Sequence, residues 1–150
     1  MKSIIIFFLL GYALSYNPSK AISYAKSYCR SYNKNYNNYK GRGGDCANFV
    51  CQCLMAGGLD INSCRSVISY WDGKCIIRVK DIRKCLSHLG WKYSTTLPSK
   101  FKAGYPMVHT DESHTILAVS VNGNSVKFAG HTTDYCDQPL RASVYYYYLP

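Results

Sequence analysis

Cys46 is the residue whose position in the sequence points most directly to chemistry. It follows Gly43, Gly44 and Asp45 and begins an apolar stretch with helical spacing. This placement predicts a cysteine in the first turn of a helix, where unpaired backbone amides and the helix dipole favour a thiolate. Because the thiolate is the attacking form of cysteine, the pattern indicates a nucleophile. The negative charge of Asp45 opposes the thiolate, so a histidine close to the sulfur is also expected.

Two of the four histidines have positions that suit a base and its orienting partner. His114 begins a predicted strand and can face a packed helix, and His131 closes the strand that pairs with it. Since one histidine can orient another at the same end of adjacent strands, we predict His114 as the base and His131 as its orienter. Asn122, Asp111 or a backbone carbonyl are alternatives for the orienting role. No metal site is predicted, because no zinc-binding spacing accompanies the histidines.

The elements that must position these residues define an α+β domain. Helical spacing predicts helices over residues 17–32, 45–56 and 79–89, and β-branched residues predict strands over 115–121, 125–130 and 144–149. Asn122-Gly123 predicts a hairpin turn between the first two of these strands. Helices followed by an antiparallel sheet are typical of the α+β class. The nucleophile is therefore expected on a helix that packs against the sheet bearing the base.

The N-terminal residues predict in which cellular compartment the protein acts. Lys2 precedes an unbroken apolar run over residues 4–10, and Ala13 and Ser15 provide the small residues of a cleavage site. This run is too short to span a bilayer, so residues 1–15 are interpreted as a secretory signal peptide and residues 16–150 as one domain. The mature protein is expected to be secreted, or to lie in a lumen of the secretory pathway, and to contain no transmembrane segment.

The segment from Gly43 to Gly58 carries a family resemblance. It contains Gly-Gly-Asp-Cys-Ala-Asn-Phe-Val, followed by Gln-Cys-Leu and Ala-Gly-Gly. It resembles the amidase domain family of the NlpC/P60-like, papain-like cysteine hydrolases. The resemblance implies a helix that bears the cysteine, packed on an antiparallel sheet that bears the histidine. It implies Cys46 as nucleophile and His114 as base, and it suggests His131 as orienter.

The resemblance also implies a reaction class. Members of the wider superfamily commonly cleave amide bonds in bacterial cell-wall peptides, so a secreted amidase or endopeptidase acting on peptidoglycan, with an antibacterial effect, is the leading hypothesis. The backbone amide of Cys46 is a candidate oxyanion donor. Asp45 and a tyrosine of the preceding loop, Tyr36 or Tyr39, are candidates for oxyanion or substrate contacts. No cofactor is implied.

The eight cysteines fit a secreted enzyme with one reactive thiol. If Cys46 is catalytic it must be free, and Cys53 lies on the apolar face of the same predicted helix as a second free thiol. Six cysteines then remain for three disulfides, with 15 possible connectivities. These six are Cys29, Cys51, Cys64, Cys75, Cys85 and Cys136.

Composition limits the other classes of function. The 150 residues are 47% hydrophobic, which excludes a disordered chain, and the formal net charge is +10. Lysines and arginines are scattered, which argues against a nucleic-acid partner but allows attraction to an anionic polymer surface. A monomer is expected. The alternative functions are an acyltransferase or protease on the same fold, and an inactive, disulfide-rich binding or membrane-active protein.

Overall fold

Helices precede a single antiparallel sheet in the chain, which confirms the predicted α+β class. The computed structural model describes residues 16–150, so the predicted signal peptide lies outside the described residues. The helices are α1 (Pro18–Tyr28), α2 (Cys46–Ala56) and α3 (Val79–His88), with a 3₁₀-helix at Ile61–Ser66. The strands are β1 (Lys92–Ser94), β2 (Pro106–His109), β3 (Thr115–Asn122), β4 (Ser125–Gly130), β5 (Tyr135–Pro139) and β6 (Val144–Tyr148).

Helix α1 begins as the sequence predicts and ends earlier. The side chain of Asn17 accepts a hydrogen bond from the backbone amide of Lys20, and a proline occupies the first turn. The helix ends at Tyr28, so the prediction that it extends to residue 32 is wrong. The reason is a competing partner, because the carbonyl of Tyr28 accepts a hydrogen bond from the ring of His131.

Helix α2 is the buried centre of the molecule. All nine residues from Cys46 to Leu54 are buried, so the helix is enclosed on every side rather than amphipathic. It packs between α1 and β3. Gly57 and Gly58 follow its last turn, and Gly58 adopts a left-handed conformation with φ +90°. The packing on all sides of α2 fixes the position of its N-terminus relative to the sheet.

The sheet has the strand order β1-β6-β2-β3-β4-β5, and all of its pairs are antiparallel. Strand β3 lies inside the sheet, and its residues Thr115 to Val119 are buried without alternation. The predicted hairpin is confirmed: Asn122 pairs with Ser125, and Gly123 has φ +59°. Strands β1 and β5 were not predicted, since both are short and lack an apolar alternation.

Three disulfides cross-link the domain, as the cysteine count predicts. They join Cys29 to Cys136, Cys51 to Cys75, and Cys64 to Cys85. Cys46 and Cys53 are free and buried, in agreement with the prediction. Within residues 16–150, no helix is both long enough and apolar enough to cross a bilayer.

Candidate active site

Cys46 lies at the N-terminus of α2 with 7% of its surface exposed. The approach to it requires a glycine, because Gly44 has φ +106° and a Cβ atom there would lie 3.0 Å from Oγ1 of Thr132. The same hydroxyl oxygen accepts a hydrogen bond of 3.1 Å from the backbone amide of Asp45. Thr132, in the segment after β4, therefore fixes the turn that directly precedes Cys46.

Burial, one carboxylate and three backbone amides act on the pKa of the Cys46 thiol. Burial raises the pKa of the Cys46 thiol above its ordinary value, and the carboxylate of Asp45 adds to this increase. The backbone amides of Thr115, Ala47 and Cys46 itself act in the opposite direction and lower the pKa. Thr115 is the first residue of β3 and directly follows His114.

His114 is partly buried at the start of β3. Burial lowers the pKa of His114 to about 4, the positive charge of a protonated His109 acts in the same direction, and Asp111 acts against both. The ring of His109 packs edge-on against that of His114, with centroids 5.2 Å apart. Among residues 16–150, no hydrogen bond joins the His114 ring to Cys46 or to His131. His114 thus directly precedes the residue whose amide acts on the Cys46 thiol, and His109 is the neighbour of its ring.

The turn between β2 and β3 is held by helix α3. Glu112, which lies in this turn two residues before His114, has φ +59°, an uncommon conformation for a residue with a side chain. Its carboxylate pairs with the guanidinium of Arg83, whose Nε donates a hydrogen bond of 2.7 Å to the hydroxyl of Tyr147. The ion pair connects α3 to the turn, and it restricts the backbone between the two histidines.

A cleft of about 550 Å³ opens next to His114. Its basic side chains are His109, His114 and Arg141, and no acidic residue belongs to its described lining. Cys46 is not part of the lining, although Thr132, which anchors the Asp45 amide, is. The lining residues are His109, His114, Phe128, Thr132, Thr133, Tyr135, Gln138, Pro139, Leu140, Arg141 and Ala142. The cleft thus offers one cationic side chain, Arg141, and a partly apolar wall next to His114.

His131 lies at the predicted end of β4, but its ring faces α1 and α2. It is 1% exposed, and its two ring nitrogens contact a carboxylate oxygen of Asp45 at 2.7 Å and the carbonyl oxygen of Tyr28 at 2.6 Å. These contacts use both nitrogens, so the described geometry leaves none to orient His114.

Asp45 is buried rather than placed for the predicted substrate contact, and the two loop tyrosines lie at the edge of the core and beside Asp72. Asp45 precedes the first residue of α2, but its carboxylate is 1% exposed and accepts from the Tyr39 amide and the Asn48 side chain. The hydroxyl of Tyr39 donates to Asp72 at 2.8 Å, and Tyr36 packs at the edge of the core. Asp45 is therefore an internal anchor, since its buried carboxylate cannot reach a substrate.

Sequence reasoning did not identify three residues of this region as functional: Thr132, Arg141 and Glu112. Thr132 had a local signal, because it directly follows His131, a predicted site residue. Arg141 and Glu112 had none, since their positions depend on contacts between distant parts of the chain.

Comparison with known proteins gives one family. The family model described as "Putative amidase domain" matches residues 15–103, which is more than half of the chain. The match includes Asp45 and Cys46 and ends before His114, His131 and the cleft. No curated protein and no solved structure matches the chain.

Proposed function

The chain belongs to the "Putative amidase domain" family, and on this premise we propose that it is a papain-like cysteine hydrolase of the NlpC/P60 type that cleaves amide bonds through Cys46. The family name indicates hydrolysis of amide bonds and specifies neither the catalytic group nor the substrate. One observation carries the finer proposal: a free cysteine begins a buried helix that packs on β3, the strand that starts at the residue after His114.

The proposed reaction has two steps. His114 accepts the thiol proton while the sulfur attacks the substrate carbonyl carbon, and it then donates this proton to the departing amine. Water hydrolyses the resulting thioester and regenerates the thiol. The Cys46 backbone amide, at the positive end of α2, is the proposed donor to the oxyanion. His109 replaces His131 in our proposal as the residue that restricts the orientation of His114, by packing rather than by a hydrogen bond.

The resting charge state follows from the two pKa directions. The pKa of Cys46 is raised above its ordinary value and that of His114 is lowered to about 4. Near neutral pH both groups are therefore uncharged, so the proton moves during the attack rather than before it. This is general-base catalysis by a neutral imidazole, not attack by a preformed thiolate–imidazolium pair.

We propose cell-wall peptides as the substrate class. Peptides of this kind bear carboxylates, and the cleft combines the positive charge of Arg141 with two imidazole rings and an apolar wall that includes Phe128 and Tyr135. The net charge of +10 favours adsorption to an anionic wall, and the three disulfides agree with secretion.

Digestion of purified cell walls tests this proposal. The secreted protein should release peptides whose masses and new amino and carboxyl termini identify one type of cleaved amide bond. Peptides that gain an amine in place of water would indicate acyl transfer instead. Failure to cleave the walls and a panel of unrelated small amides, with Cys46 still reactive toward a thiol reagent, would contradict the amide-hydrolase proposal.

The pH dependence should show the lowered pKa of His114. The base form of His114 is lost as the pH falls through about 4, so kcat/KM should decrease there and remain level through pH 6.5, where an ordinary histidine titrates. The measurement is kcat/KM for one small amide between pH 3.5 and 8, with circular dichroism to verify folding at each pH. An acidic limb centred near 6.5 would contradict this assignment of the base.

A further inference from the structure

His131 is enclosed more completely than any role in substrate contact would require. Its ring lies between those of Tyr32 and Phe49, with centroid distances of 4.2 and 4.1 Å and interplanar angles of 27° and 30°. Its two nitrogens contact Asp45 and the Tyr28 carbonyl. The ring therefore has fixed partners on both edges and both faces.

The partners determine which ring nitrogens bear hydrogen. The Tyr28 carbonyl oxygen can only accept, so Nε2 of His131 must donate. Oδ1 of Asp45 accepts from the Tyr39 amide at 3.0 Å and from Nδ2 of Asn48 at 2.9 Å, which suits an ionised carboxylate. Oδ2 then accepts from Nδ1 of His131. A histidine that donates from both nitrogens is an imidazolium.

We propose that His131 is a positioning residue of the candidate active site, a buried imidazolium that cancels the charge of Asp45 beside the nucleophile and ties the end of α1 to the start of α2. This inference rests on the proposed role of Cys46 as the nucleophile. It assigns to His131 a function different from orienting the base. It also explains why a carboxylate is tolerated directly before Cys46.

The charge balance around the pair supports this role. The negative charge of Asp45 raises the pKa of the Cys46 thiol. A cation paired with the Asp45 carboxylate opposes that increase. An unpaired buried carboxylate would also be costly, because burial of a charge without a partner destabilises the fold. The other carboxylate nearby, Asp134, accepts from the Tyr32 hydroxyl and pairs with Lys40, and the Tyr39 hydroxyl is bound to Asp72. Within residues 16–150, Asp45 is thus the carboxylate in direct contact with His131.

Nuclear magnetic resonance of the wild-type protein tests the charge state without any variant. In protein labelled with ¹⁵N-histidine, both ring nitrogens of His131 should show the imidazolium signature at pH 7.5, where an ordinary histidine is mostly neutral. His88, which is exposed, provides a solvent-accessible reference histidine in the same sample. A single protonated nitrogen on His131 would overturn the proposal.

Alkylation of Cys46 tests the effect on the nucleophile. In a Cys53→Ala background, His131→Gln should slow alkylation at pH 7.5 on the order of tenfold, which corresponds to one pKa unit of the thiol. The double variant His131→Gln with Asp45→Asn removes both charges and should recover most of the rate. A double variant as slow as His131→Gln would indicate a purely structural role and overturn the proposal.

These readouts are separate from catalysis. Both measurements report on the unliganded protein, so they can succeed even if the wall-digestion experiment fails. Conversely, a neutral His131 in a protein that cleaves amides through Cys46 would remove this inference and leave the proposed function intact.

Discussion

Replacement of Cys46 with alanine is expected to reduce kcat/KM for amide hydrolysis by at least about 10⁴-fold, because no other group can form the acyl intermediate. Residual rates after loss of a nucleophile come only from substrate binding and oxyanion contacts. The measurement is steady-state hydrolysis of the amide identified by wall digestion. The fold should be unaffected, since the substitution removes one sulfur atom at the end of a helix.

The chain offers a matched control for this experiment. Cys53 is the second free cysteine, lies on the same helix and is fully buried. Cys53→Ala leaves a small cavity but should retain kcat/KM within a few-fold of wild type. If Cys46→Ala retained more than a tenth of the wild-type activity, or if both variants lost activity equally, Cys46 would not be the nucleophile.

Removal of the Cys29–Cys136 disulfide is expected to cause the largest loss of stability. The bridge closes a loop with a sequence separation of 107, for which chain entropy predicts a contribution of about 4.7 kcal/mol to the free energy of unfolding. It also joins the end of α1 to β5, close to the Tyr28 carbonyl that binds His131. Cys29→Ser with Cys136→Ser should therefore lower the denaturant midpoint strongly.

A second disulfide supplies the comparison. Cys64–Cys85 has a sequence separation of 21, so the same relation predicts that its loss costs about 1.4 kcal/mol less than loss of Cys29–Cys136. The measurement is equilibrium unfolding of both double-serine variants in guanidinium chloride. An equal cost, or a greater cost for Cys64–Cys85, would show that loop length does not determine how these bridges stabilise the domain.

Much of the fold could be predicted because its signals are local. The helix that begins at Cys46 is preceded by glycines and has an apolar sequence, and the Asn122-Gly123 turn defines its hairpin within a few residues. The set of six paired cysteines also followed from counting, once Cys46 and Cys53 were assigned as free. Their connectivity did not, because it depends on how distant segments pack.

The contacts of the His131 ring could not be predicted from the sequence. Its place at the end of β4 was predictable, but the direction of its ring depends on partners 86 and 103 residues away, Asp45 and Tyr28. The same contact occupies the Tyr28 carbonyl where α1 ends, although helical spacing predicted a helix to residue 32. Likewise, the Arg83–Glu112 pair links α3 to the turn before β3 across 29 residues of chain. No local pattern indicates such contacts.

The most direct test of the central claim is to trap the acyl intermediate. The protein is mixed with an amide or ester substrate, quenched in acid during turnover, and analysed by intact mass and peptide mapping. Our account predicts a thioester with the mass of the acyl fragment on the peptide that contains Cys46, and its loss on treatment with hydroxylamine. Continued turnover with no adduct on Cys46, or with an adduct on another residue, would contradict it.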